Sequence, residues 1–246
     1  MNKKHFSLVG ILAFSLSTFG WAKPPSTGPN APITAEEQAA ILNKIRPRLE
    51  ALGGSSDSKV VVERAKLTYF IGQYSSKDED KLNSFRQGLV ALEPAAAEGK
   101  DPDAVLIWAA NAGGVASIER NLDALRLMDK IEKRLLTLSE KFPSHESGAA
   151  YRALAAIYFN APSLISVGSS KKAAQYATKA YSLDPNSPAN MLMMARVEAD
   201  QGNKTRAAEL YREVLQRAKA DLYPLDYAAW HNEAVTGLDD AGALNS

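Results

Sequence analysis

Two serine–lysine pairs have the spacing of an activated nucleophile. Ser169 with Lys172 and Ser56 with Lys59 both read S-x-x-K, three residues apart. An acyl-transfer enzyme of that pattern also needs S-D-N and K-T-G elements, and neither tripeptide occurs. Ser169 therefore reads as a helix cap. His145 and His231 have no H-E-x-x-H spacing, and the chain has no cysteine, so no zinc site is expected. Ser144, His145 and Glu146 are consecutive and cannot converge as a triad; His145 reads as a surface or capping residue. G-x-S-x-G, Walker and G-x-G-x-x-G loops are absent. No cofactor or metal is expected, and thiol chemistry is excluded. What remains is recognition chemistry. Arg152 and Arg196 carry planar forks of donors that suit a carboxylate, provided the fold presents them.

The elements that would present them repeat. Tyr151, Leu154, Ala155 and Tyr158 form one apolar helical stripe. Gly168, Ala173, Ala177, Ala180 and Pro185 follow. Gly202, Ala207, Tyr211 and Val214 repeat the glycine and the next three positions at an offset of 34 residues (Ala173 to Ala207). That period and spacing match a tetratricopeptide repeat, a helical hairpin that must stack on neighbours to bury its apolar face. The expected fold is all-α: a tetratricopeptide-like helical-hairpin repeat stack, or α-solenoid, over residues 34–240. Tyr223-Pro224 opens a capping helix, Leu225 to Leu238, with Trp230 over the open end. Trp108, Tyr151, Tyr158 and Tyr211 read as interlocking core aromatics. Lys171, Lys172, Lys130, Lys133 and Arg134 read as solvated faces.

Upstream, Thr34-x-x-Glu37 is a capping box for a helix to about Leu52, which Pro47 should kink or split. Val60 to Tyr74 is the next helix. Ser76-x-x-Glu79 caps another that stops before Pro94, leaving a loop over residues 94–103. Asp101 and Pro102 then open a helix carrying Trp108. It is expected to end at Asn111-Ala-Gly-Gly114, where the glycines permit either close helix approach or a break. A long connection over residues 115–122 leads to a helix from Asp123 to Lys141, stopped by Pro143. Ser187-Pro188 caps a later helix. The connection after Trp108 and the loop before Gly168 read as insertions, where function could sit.

The chain has 246 residues, 46% apolar and 23% charged, enough for one helical domain with a sizeable core. Lys3 and Lys4, an apolar run from Phe6 to Phe19, and Gly20-Trp21-Ala22 read as a signal peptide over residues 1–22. The run is about 14 residues, short of the roughly 20 that a membrane span needs. The reading expects an exported, periplasmic, soluble protein starting at Lys23, with a proline-rich linker over residues 23–33. Lysine and arginine then fall from 29 to 27 against 28 acidic residues, a formal net of −1. No nucleic-acid partner is expected at that balance.

A more specific likeness lies in the order of motifs. Ala109-Ala110-Asn111 follows a tryptophan, and a helix ends at Pro143. Then come Tyr151 to Pro162 with Phe159-Asn160, Ser166-Val-Gly168 before Lys171-Lys172-Ala173, and Leu183-Asp-Pro185. This order, over residues 60–220, resembles the T component associated with tripartite ATP-independent periplasmic transporters. The resemblance implies an all-helical periplasmic protein that associates with a solute-binding protein and, as in some members, a homo-oligomer. It also draws Asn111 and Asn160 into the candidate ligand set. Such components are often lipid-anchored, whereas Lys23 follows the cut here.

On the first helix of each repeat, the stripe beside the packed one lines the concave side. Arg152, Ala156 and Phe159 occupy it in one repeat; Leu192, Arg196 and Ala199 occupy it in the next. Arg152 and Arg196 could hold a protein partner or small anionic ligand with Phe159 on its apolar part. Alternatively, each arginine pairs with an acid of the fold, such as Glu198 or Asp200. An envelope scaffold, and an enzyme using a cavity between repeats, are the competing readings. The signal-peptide reading predicts that the protein recovered from the cell envelope begins at Lys23. N-terminal sequencing checks this, and an intact Met1 contradicts it.

Overall fold

Helix caps at several starts are satisfied by the side chains that the sequence offers. In the computed structural model, which describes residues 34–161 and 168–243, Asp101 accepts from the amides of Asp103 and Ala104, and Pro102 follows at the first helical position. Ser187 does the same for Asn190. Asp57 and Asn121 cap two further starts, accepting from Lys59 and Val60 and from Ala124. Residues 1–33, read above as a signal peptide and linker, and loop residues 162–167 lie outside the described residues.

The described residues are helical without a strand. They divide into two compact units. The first holds α1 (Ala35–Ala51), α2 (Ser58–Tyr74), α3 (Asp78–Glu98), α4 (Pro102–Glu119) and α5 (Leu122–Lys141). Each packs on the one before it, and α2 also packs on α4. The second holds α6 (Ala149–Asn160, less its last residue), α7 (Ser170–Leu183), α8 (Pro188–Asp200), α9 (Lys204–Arg217) and α10 (Tyr227–Asp240). Here α7, α8, α9 and α10 pack in succession. Ala155 and Ala156 of α6 join Ala177, Met193 and Val197 in one apolar cluster. A repeat stack of helical hairpins is the result in each.

The repeat register is met residue by residue. Ala173, Ala177 and Ala180 of α7 are buried, and so are Ala207, Tyr211 and Val214 at the matching positions of α9. Trp230 of α10 is fully buried against the α8–α9 core, as expected of a helix closing the stack. That helix starts at Tyr227, two residues later than Leu225.

Several details of the helices differ from the sequence reading. Helix α1 is not split at Pro47, and α3 runs through Pro94 to Glu98. Each proline frees the carbonyl four residues back, at Asn43 or Val90. In both pairs the proline and that residue are exposed, so water can take the freed oxygen. Gly99, at φ 63°, ends α3 instead. The Ser76 box does not open it: Lys77 holds the cap position without a side-chain bond. Helix α4 does not end at the glycines and the expected connection over 115–122 is mostly helix, so there is no insertion after Trp108. Every residue from Ala104 to Ala116 is buried, making α4 the apolar centre of the first unit. Gly114 works by close approach: a Cβ there would lie 2.6 Å from the Phe85 ring.

Ala207 is fully buried on the crossing face of α9. Ala207→Asp would bury a carboxylate without a partner, at a cost on the order of several kcal/mol. Chemical denaturation should show a matching fall in midpoint, and an unchanged midpoint contradicts the register.

Candidate functional site

Arg152 lies on α6 with 4% of its surface exposed. Its NH1 donates to Asn190 Oδ1 at 2.6 Å. Asn190, fully buried in the first turn of α8, turns its Nδ2 to three carbonyl oxygens: Ala180 at 2.9 Å, Ser147 at 3.0 Å and Asp184 at 3.0 Å. Ser147 Oγ donates to Asp184 Oδ2 at 2.7 Å. Burial draws the guanidinium down to about 10, while the charges of Glu146, Asp226 and Asp184 favour its cationic form. Arg152 is therefore a cation at neutral pH, embedded among polar and acidic groups of its own unit. Three successive residues, Glu146, Ser147 and Gly148, have positive φ and bend the chain into this cluster.

Arg196 of α8 is clamped in a two-pronged pair by Glu233 of α10, through Nε to Oε1 and NH2 to Oε2. Both side chains are mostly buried, at 11% and 18% exposure. The acid that clamps Arg196 is thus Glu233, from another helix; Glu198 accepts from Asn203. Phe159, like Met194, packs at the edge of the cluster holding Met193 and Val197. The structure gives Arg152 and Arg196 separate partners inside the fold. An incoming anion would have to displace Asn190 or Glu233.

Asn111 and Asn160 fall elsewhere. Asn111 of α4 is fully buried; its Nδ2 donates to Ala65 O at 3.1 Å and Ile107 O at 2.9 Å. These two acceptors fix the amide orientation. Its Oδ1 has no hydrogen-bond partner and faces the α-carbon of Gly88, where any Cβ would collide with it. A Cα–H donor is the contact left to it, so Asn111 stitches α2, α3 and α4 and is sealed from solvent. Asn160 is the last residue of α6, and both polar atoms of its side chain are buried without a hydrogen-bond partner among the described residues.

Other polar residues are used structurally. Trp108 is buried beneath Arg134, whose guanidinium lies 4.0 Å from the ring centroid, with Lys130 at 5.6 Å. Glu93 accepts from both. Burial opposes ionisation of Glu93, but the Arg134 and Lys130 bonds and charges outweigh it and lower its pKa. Lys130 and Arg134 are thus not simply a solvated face. Lys172 lies 4.6 Å over Tyr158, whose ring stacks on Tyr176. His145 Nε2 sits 2.7 Å from Asp103 Oδ1, a partner forty-two residues away in sequence. Among the described residues no acidic or histidine cluster could hold a metal ion.

Asn190 and Glu233 were not legible as partners. Asn190 is one of many polar residues following a cap, and Glu233 is separated from Arg196 by two helix boundaries. The chain matches no protein-family model and no curated protein.

The hub role of Asn190 makes a direct prediction. Asn190→Leu would remove the amide that bonds three carbonyl oxygens and the acceptor of the buried Arg152 NH1, with a cost of about 3 kcal/mol or more. Arg196→Met leaves a Glu233 that still has 18% of its side chain open to water, whereas Asn190 is fully buried, and should cost less than Asn190→Leu. Urea unfolding of the two variants checks the order.

Proposed function

We propose that this protein is an exported binding module of the tetratricopeptide type. In this reading it serves in the periplasm and holds a protein partner, such as the solute-binding protein of a tripartite ATP-independent periplasmic transport system. The observation that supports it most directly is the repeat: matching faces of α7 and α9, buried at an offset of 34 residues (Ala173 to Ala207), in a stack of hairpins. Such stacks offer extended surfaces, and their use is recognition. The transporter assignment rests on the order of motifs around Asn111, Tyr151 to Pro162 and Lys171-Lys172. Export rests on residues 1–22.

In the second unit the surface for a partner centres on Phe159. It is half-buried and, like Met194, packs against the cluster holding Met193 and Val197, a set of flexible apolar groups suited to a protein surface. The reading expects affinity capture from the periplasmic fraction to retain a solute-binding protein with the wild type. Phe159→Asp should lose at least tenfold of that recovery while keeping its helical circular dichroism. Retention of no specific protein, or equal retention by the folded variant, contradicts it.

A further inference from the structure

The first unit contains a cleft of about 230 Å³ between the C-terminal end of α1, the first half of α2 and the middle of α3. Leu49, Val61 and Ala91 form its apolar walls; Glu50, Arg64 and Gln87 bring polar groups to it. Arg64 stands out from the other arginines. Of the twelve in the chain, ten hold a hydrogen bond or ion pair within the protein. Arg46 is exposed to water. Arg64 is half-buried, lines the cleft and has no acceptor among the described residues. None of its nitrogens is sealed from solvent, so its donors are available to an incoming group. Gln87 has an uncommitted amide on the same cleft.

Glu50 carries the opposite charge. It too has no ion pair among the described residues, with Arg64 or elsewhere. It lies in the last turn of α1, where the carbonyl ends of the helix add negative potential. A bare anion drawn to Arg64 would meet Glu50 and the negative helix end. A bare cation drawn to Glu50 would meet Arg64. The occupant that satisfies both carries adjacent opposite charges. The volume is below that of pockets for drug-sized molecules, and the walls are short aliphatic groups.

We propose that this cleft binds the zwitterionic head of a small aliphatic α-amino acid. Its carboxylate lies on Arg64 and Gln87, its ammonium on Glu50 at the end of α1, and its side chain on Leu49, Val61 and Ala91. This site lies in the first unit and does not depend on the partner reading of Phe159.

Isothermal titration calorimetry of the whole protein with L-leucine, L-valine and L-alanine tests it. At least one should give saturable heat. The analogues of that amino acid lacking one charge, such as isocaproate without the ammonium or isopentylamine without the carboxylate, should each bind at least tenfold more weakly to the wild type. Arg64→Gln and Glu50→Gln should each weaken amino-acid binding at least tenfold with unchanged thermal melts. No saturable heat with any of the three, equal binding of a one-charge analogue, or full affinity in a folded Arg64→Gln overturns the proposal. The analogue comparison needs no variant, and Phe159→Asp, which serves the partner reading, should leave this binding unchanged.

Discussion

A two-helix hairpin leaves half of its apolar surface uncovered, and close approach of the next helix is what covers it. That approach depends on small residues where the backbones cross. Ala173, Ala177 and Ala180 provide this on α7, and Ala207 starts the same series on α9. In the first unit the space comes from glycine: Phe85 fills the place of a Cβ at Gly114, and Asn111 fills the corresponding place at Gly88. Fully burying an apolar side chain such as Phe85 contributes about 1.5–3 kcal/mol. A larger residue at any of these crossings separates helices and uncovers several side chains together. This is why α4 tolerates Gly114 in mid-helix, at a cost of roughly 1 kcal/mol relative to alanine.

Close packing then decides what the charged residues do. Where a helix covers a polar side chain, that side chain needs a partner from within. Asn190 answers Arg152, Glu233 answers Arg196, and Glu93 with the Trp108 ring answers Arg134. Each pairing joins different helices of one unit, so these charges belong to the frame. Groups left without an internal partner are the ones available for recognition. Arg64, Glu50 and Gln87, which have no side-chain partner among the described residues, share one cleft.

Period and small-residue spacing made the hairpin stack legible, since burial of one helix face imposes both on the sequence. The Asp101-Pro102 and Ser187-Pro188 caps were readable because capping is local. Helix ends at proline and glycine were less so. Pro47 and Pro94 would break a buried helix but are carried on exposed faces, and exposure is set by tertiary packing. Gly113-Gly114 left close approach and chain break both open until Phe85 was seen to occupy the space. Arg152 and Arg196 were correctly placed on the first helices of their repeats, yet their partners come from other helices. No local pattern announces Asn190 or Glu233. The Arg64 cleft was illegible for the same reason, because the absence of a partner is a property of three helices at once.

Site-specific photocrosslinking in living cells tests the central claim, that this stack is a recognition surface, most directly. A benzoylphenylalanine at position 159 keeps an aromatic ring where Phe159 packs. The account predicts a discrete crosslinked product with one envelope protein under illumination, absent when the probe replaces buried Trp230 of a chain that still folds. Illumination that gives no product at position 159, or a smear equal to that from exposed Leu122, would contradict it.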